Sequence, residues 1–443
     1  MKKNCLLILF LIIGFKISAQ SSSYSLEQAV QYALENNTMS KNATNDLEIA
    51  QAKKWETIAT GLPQLSAFLD YANNIKQPIS LVPAEFFGGN KGEFAEISFG
   101  TKQTFDGTAT LNQLLFDGSY MVGLSSIKLY LEIADNAKTK TDLEVKRNVI
   151  SAYGNVLVSE ERVNFLKDNL DNVKGNLDEI SKVYENGMTE LESVEQLTIT
   201  YSSLRNSLNY ATKMVKTSRN ILKMLIGLSL DEEIVLSDDL NGLTLKKIDM
   251  TLIDKPISMD KNIDYIIANN TKKSQETLLK LERSRALPTI SAYVQGTYKG
   301  NSDSFDFLKS DQKWYGSSVA GFTMSIPVFS SLRRSAKTQQ AKIEVAKASE
   351  ELLQTEKRVL IELENAKTNY QFAINNFNNA QKNLILAKRI EKKNGIKFIE
   401  GIASSFELRQ AQMQLYSIQN ELLQSMLEVI NKKTNLEIIL NEN

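Results

Sequence analysis

Two acidic clusters, Asp231-Glu232-Glu233 and Asp238-Asp239, have the residue types that could hold a divalent cation. The run Gly88-Gly89-Asn90-Lys91-Gly92 has the glycines and lysine that a phosphate loop would use. The acidic clusters sit in a mixed polar stretch, where a solvated linker is the simpler reading. The glycine run lacks phosphate-loop spacing and leads into no helix, so it reads as a turn. Histidine is absent, which removes the commonest general base and the commonest metal ligand together. No G-x-S-x-G element occurs, and no candidate nucleophile has a base to activate it. Neither catalysis nor a cofactor nor a metal site is expected. Lys plus Arg equals Asp plus Glu at 52 each, so no basic excess is available to hold nucleic acid.

The elements around these residues carry more information than the residues do. Lys2 and Lys3, the apolar run Leu6 to Phe15 and the small-residue site Ile17-Ser18-Ala19 read as a secretory signal peptide, residues 1–19. The only cysteine, Cys5, falls inside it and precedes the apolar run, so neither a disulfide nor a lipid anchor is expected. Beyond it no run of 18 or more apolar residues occurs, and so no transmembrane helix is expected. A membrane crossing would have to use strands closed into a barrel.

The chain contains itself twice. Phe116 and Phe329 are 213 positions apart, and Gly187 and Gly401 are 214 apart. So long a period means two copies of a large unit rather than a solenoid. Between each Phe and its glycine runs a heptad seam. The first reads Val145, Val149, Ala152, Val156, Ser159, Val163, Leu166, Leu170, Val173, Leu177, Ile180, Tyr184. The second reads Val359, Leu363, Ala366, Tyr370, Ala373, Phe377, Ala380, Leu384, Ala387, a large residue paired with alanine in each heptad. An ordinary antiparallel coiled coil and an extended helical palisade both fit, and the alanines favour the palisade through closer approach. Helices are predicted over about 119–185 and 331–400, each roughly 100 Å long at 1.5 Å per residue. Return helices follow over about 189–228 and 404–440.

Ahead of each long helix the period changes to two. Residues 24–61 predict a helix with Ser25 as N-cap, stopped at Leu62-Pro63. Leu65, Ala67, Leu69 and Tyr71 then alternate with polar residues, as do Ile97, Phe99, Phe105, Ala109 and Leu111 up to Asn112. The stretch between, rich in Pro and Gly, reads as a long loop. A helix over about 260–286 stops at Leu287-Pro288. Two more strands follow, with Ile290, Ala292, Val294 and Tyr298 on one, and Ala320, Phe322, Met324, Ile326 and Val328 on the other, over 315–329. Four strands with one apolar face cannot close alone, and the remaining segments are committed to coiled-coil helices. Lipid is then the simpler partner for that face, with Tyr71, Tyr298, Trp314 and Tyr315 near the strand ends, and closure demands several copies of the chain.

This order, given twice behind a signal peptide, resembles the TolC-type outer-membrane efflux proteins. The local matches are Gln113-Leu114-Leu115-Phe116-Asp117-Gly118, Ser325-Ile326-Pro327-Val328-Phe329 and the tip from Gly401 to Gln412. The resemblance implies a mainly α fold with a membrane β-barrel contribution: a homotrimer whose four strands per chain form a 12-stranded barrel in outer-membrane lipid, on an α-helical periplasmic tunnel. Repeats at 20–228 (hairpin 62–116, tip near 187) and 259–443 (hairpin 287–329, tip near 401) are joined by 229–258. The tips, Gly187 and Met188, and Gly401, Ile402, Ala403 and Ser404, would dock a periplasmic adaptor (a membrane fusion protein) working with an inner-membrane transporter in efflux or type I secretion. Glu407 matches the first acidic position of the family's gate, while Gln410 stands at the second and Ala403 where some members carry a basic residue. The competing expectation is a soluble periplasmic coiled-coil scaffold or pump adaptor.

Overall fold

A computed structural model describes residues 22–442, so the signal-peptide reading of 1–19 lies outside the described residues. The described residues divide into two units, 22–48, 132–270 and 350–442 in one, and 49–131 and 271–349 in the other. In chain order the elements are β1 (Ser22–Tyr24), α1 (Leu26–Asn36), α2 (Thr38–Ala59), β2 (Gln64–Asn73), β3 (Ile79–Pro83), β4 (Phe94–Ser98), β5 (Gln103–Asp117), α3 (Gly118–Glu185) and α4 (Leu191–Ile226). After these come β6 (Ile234–Leu236), α5 (Leu240–Lys246), α6 (Ile263–Ser284), β7 (Thr289–Ser302), β8 (Trp314–Ser325), α7 (Arg333–Ile399) and α8 (Ser405–Leu440). No helix among the described residues is long and apolar enough to cross a membrane.

The second unit holds a four-stranded antiparallel sheet in the order β2-β5-β7-β8. Its register turns the expected alternation into rows that cross all four strands. Leu65, Leu111, Val294 and Ala320 form one row, Leu69, Gly107, Tyr298 and Gly316 another, and Tyr71, Phe105, Gly300 and Trp314 a third. A shift in register between Leu114 and Phe116 brings Phe116 opposite Ile290 and Met324, so the apolar face continues to the sheet's end. The opposite face carries Ser66, Thr110 and Gln295 in one row and Phe68, Thr108 and Thr297 in the next. The hydroxyls of Thr108 and Thr297 lie 3.1 Å apart, and Lys299 reaches Asp106 at 3.4 Å. Neither outer edge, of β2 or of β8, has a partner strand among the described residues. The loop from 303 to 313 folds Phe307 against Tyr71, Phe105 and Trp314, at ring separations of 6.0, 5.7 and 6.4 Å, and leaves it 5 % exposed.

Sequence expectation and structure differ here in four places. The stretch between the first two strands is not all loop: β3 and β4 pair antiparallel, Ile79 opposite Ser98. The alternation beginning at Ile97 therefore spans two strands, separated at Gly100, whose φ is +94°. The helix expected over 24–61 is broken at Asn37, whose backbone is extended and whose amide donates to the Leu225 carbonyl while accepting from the Met39 N–H at 2.7 Å. The fourth strand ends at Ser325 rather than 329. Beyond Pro327 the chain turns through two left-handed residues, Ser331 and Leu332, at φ +47° and +65°. Such a conformation costs an L-residue about 1–2 kcal/mol. Arg334 steadies the turn by donating to the carbonyls of Pro327 and Val328.

The first unit buries both heptad seams. Val149, Val156, Tyr370 and Ala380 are 0 % exposed and Ala373 and Phe377 1 %, in a core shared with α1, α4, α5 and α8. Tyr184, placed in the first seam by its spacing, is 40 % exposed at the helix end. The segment between the halves is pinned to the long helices by two tyrosine hydroxyls. Tyr153 donates toward the Tyr24 carbonyl and the Asp238 carboxylate, both at 2.9 Å. Tyr370 donates to the Lys247 carbonyl at 2.7 Å and accepts from the Asp249 N–H at 2.9 Å. Burial pushes both phenols above their ordinary range. β1 pairs parallel with β6, closing the same segment from the other side. Gly227 ends α4 at φ +84°, and a Cβ there would lie 2.5 Å from the Asn36 carbonyl oxygen, so conformation and space both require glycine.

Candidate functional site

The two helical turnarounds use one backbone solution. Gly187 and Gly401 both take φ +73°. After each, the next amide reaches back five residues, Met188 to the Val183 carbonyl at 3.1 Å and Ile402 to the Lys397 carbonyl at 2.8 Å. This is the Schellman closure of a helix C-terminus, which needs a left-handed residue and favours glycine. A Cβ on either glycine would meet nothing within 4 Å, so the requirement is conformational alone. Met188 and Ile402, one position past the glycines, are 71 % and 70 % exposed. Each turnaround thus presents an apolar side chain to solvent at the same position.

The helices that leave the turns are started differently. At the second turn the Ser404 hydroxyl accepts from the Glu407 N–H at 3.3 Å, and the Glu407 carboxylate accepts from the Ser404 N–H at 2.8 Å and the Ser404 hydroxyl at 3.1 Å. This reciprocal box satisfies two amides that the helix cannot pair. At the first turn the same two residue types are exchanged, Glu190 at the cap and Ser193 three residues on, and Glu190 makes no side-chain cap bond. The spacing Ser404-x-x-Glu407 is itself a capping signal in the sequence, beside the acidic position that the resemblance gives Glu407.

Glu407 and Gln410 are exposed and one helical turn apart on α8, and Arg409 lies over the Phe406 ring at 5.7 Å. Ala403 is half-buried beside them. Leu408, by contrast, is 0 % exposed in a second core with Val173, Ile180, Leu197, Leu204 and Phe398. The Ser404 backbone N–H, more than any charge, holds the Glu407 carboxyl below its usual value of 4.5. A depressed folded-state pKa means the cap contributes fully above the unfolded value and is lost as pH falls through the lower folded one. The turn at 401–407 is therefore expected to stay protected through the ordinary glutamate range and to open only beneath it. Hydrogen exchange of a peptide covering 402–410, normalised to one covering 188–196, checks this; a rise already near neutral pH would contradict it.

The sequence reading missed a buried polar layer between the two cores. Asn169 and Gln419, 4 % and 5 % exposed, exchange amide bonds at 2.7 and 3.3 Å across 250 positions of chain. Gln412, 1 % exposed, has neither amide atom paired. The Asp238-Asp239 pair is structural: Asp238 accepts from Leu26 N–H at 2.8 Å, and Asp239 caps α5 through the Gly242 N–H at 2.8 Å, whereas residues 231–233 are exposed. Among the described residues no cluster of three or more His, Cys, Asp or Glu is placed to hold a metal ion.

Residues 273–442 match the family model described as Outer membrane efflux protein. No curated protein sequence matches the chain significantly. Its fold is that of several solved outer-membrane proteins. VceC of Vibrio cholerae is 15 % identical, with a TM-score of 0.70 over 94 % of this chain and 95 % of that one. The CmeC outer membrane channel of Campylobacter jejuni is 17 % identical, with a TM-score of 0.70 over 94 % and 85 %. The MtrE outer membrane channel of Neisseria gonorrhoeae, solved in its open state, is 16 % identical, with a TM-score of 0.69 over 94 % and 88 %.

Proposed function

We propose, from a chain whose residues 273–442 match the outer membrane efflux protein model, that it is one protomer of a homotrimeric outer-membrane channel, a passive conduit from periplasm to exterior. The observation that carries this is the sheet: an apolar face continuous over four strands, with both edges unpaired among the described residues. In lipid an open edge leaves backbone groups without partners, so the sheet needs other copies to close it. Three copies supply twelve strands, with Thr108, Thr297, Asp106 and Lys299 facing a wet lumen. VceC, CmeC and MtrE, whose fold this chain has, are described as an outer membrane protein and outer membrane channels.

In this reading 20–228 and 259–443 are the repeats, with 229–258 as the belt between them. The exposed apolar residues at the turns, Met188 and Ile402 with their flanking Gly187, Gly401, Ala403 and Ser404, dock a periplasmic adaptor of an inner-membrane transporter. Glu407 and Gln410 line the constriction. Glu407 then has two duties, as charge and as cap, and Glu407→Gln separates them, because glutamine keeps the reciprocal box while removing the charge. The chain is expected to need detergent for release from membranes and to give cation-preferring conductance in planar bilayers. Glu407→Gln should lose that preference without loss of assembled protein. Release by salt alone would refute the channel; an unchanged preference would leave the channel standing and remove Glu407 from its gate.

A further inference from the structure

We propose that a cavity in the helical unit, walled by α3, α4 and α8, is a binding site for a single-chain organic anion such as an alkyl carboxylate. The cavity measures about 470 Å³, within the range of small-molecule sites. Phe165, Leu166, Met214 and Leu423 give it apolar walls, and the paired amides of Asn169 and Gln419 form a polar patch among them. Arg162 borders the same space. Its Nε is buried without a hydrogen-bond partner, and no ion pair engages the guanidinium among the described residues.

The neighbouring carboxylates are occupied elsewhere. Glu160 accepts two bonds from Arg219, at 3.0 and 2.7 Å, and Glu161 accepts from Asn164 at 3.0 Å. A half-buried guanidinium left with an unpaired nitrogen beside an apolar cavity is a costly arrangement that an incoming carboxylate relieves through a charge-assisted, bidentate bond. Phosphate and other compact anions match the charge but leave the apolar walls unfilled. A neutral alkyl chain matches the walls but leaves Arg162 unpaired. The two features together select a head-charged amphiphile, whose chain would lie along Phe165 and Met214. The site stands within one unit of the chain and does not depend on the channel reading.

The test uses the purified full chain and a dansyl-labelled undecanoate, with its primary amide as the neutral comparison and unlabelled dodecanoate as competitor. Saturable binding of the carboxylate is expected, displaced by dodecanoate and weakened about tenfold or more for the amide and for Arg162→Gln. Arg162→Lys should recover part of the loss, and Met214→Trp, which fills the cavity, should reduce binding without removing the charge. Circular dichroism of each variant shows whether it is folded; where one is not, the comparison of carboxylate with amide on the unaltered chain decides alone. Equal affinity for carboxylate and amide, unchanged binding in both folded variants, or no saturable binding, as when another copy's side chains fill the space, would each overturn the proposal.

Discussion

Val294→Arg is expected to keep the chain from inserting into membranes, while Thr297→Arg, three residues further along the same strand, leaves insertion intact. The two positions lie near the middle of β7 on opposite faces. Val294 is 53 % exposed in a row with Leu65, Leu111 and Ala320, and Thr297 sits beside Thr108. A lysine or arginine at the midplane of a lipid-facing strand costs about 2–4 kcal/mol, against little for a lumen position. In a trimer the same cost falls three times, a total large enough to remove assembled protein from the membrane fraction. The readout is the amount of detergent-extracted, heat-sensitive trimer for each variant. Equal yields from the two, or a greater loss for Thr297→Arg, would show that the apolar face does not meet lipid.

That contrast was open to sequence reasoning because period two is strict wherever one face of a sheet is apolar, and a slip by one residue would invert it. Gly107, Gly296 and Gly316 sit inside the strands without breaking the rows, since the apolar neighbours on either side fix the register. The short pair β3 and β4 escaped notice for the opposite reason. Its Pro78, Gly88 and Gly92 are true turn signals, Gly88 and Gly92 taking φ +83° and +93°, and they mask the five-residue strands beside them, the first of which ends on Pro83 itself. The break at Asn37 joins a local device, its side chain capping α2 at the Met39 N–H, to a bond with the Leu225 carbonyl 188 positions away that no local pattern foretells.

The candidate site divides the same way. The turn glycines were legible because only a left-handed residue closes those helices. The polar layer of Asn169, Gln412 and Gln419 was not, because a helical amide, whether Asn169 after Lys167-Asp168 or Gln419 before Asn420-Glu421, reads as solvated until its partner helix is placed. Glu407 stood out through the resemblance, as an acidic gate position, and its capping role emerged only with the geometry of Ser404.

The seams carry the second large effect, and they test whether the two repeats are mechanically equal. Phe377→Ala is expected to destabilise the helical unit by about 3–5 kcal/mol, the usual cost of emptying a buried phenylalanine site. Phe377 is 1 % exposed, one heptad step from Ala373 and Ala380, which are themselves at 1 % and 0 %. The alanines on either side of it in the seam are too short to swing into the space. Its counterpart in the first repeat, 377 minus 214, is Val163, which is 9 % exposed and has Ser159 and Leu166 as seam neighbours. Val163→Ala removes fewer atoms, and Leu166 is long enough to relax toward the gap, so its cost should be well below that of Phe377→Ala. Denaturant unfolding of the two variants, followed by helical circular dichroism, compares them. Equal costs would mean that the large-and-alanine pattern of the second seam confers no tighter packing than the mixed pattern of the first. A cost at Phe377 larger than the greater number of atoms removed there explains would place the more tightly packed seam on α7.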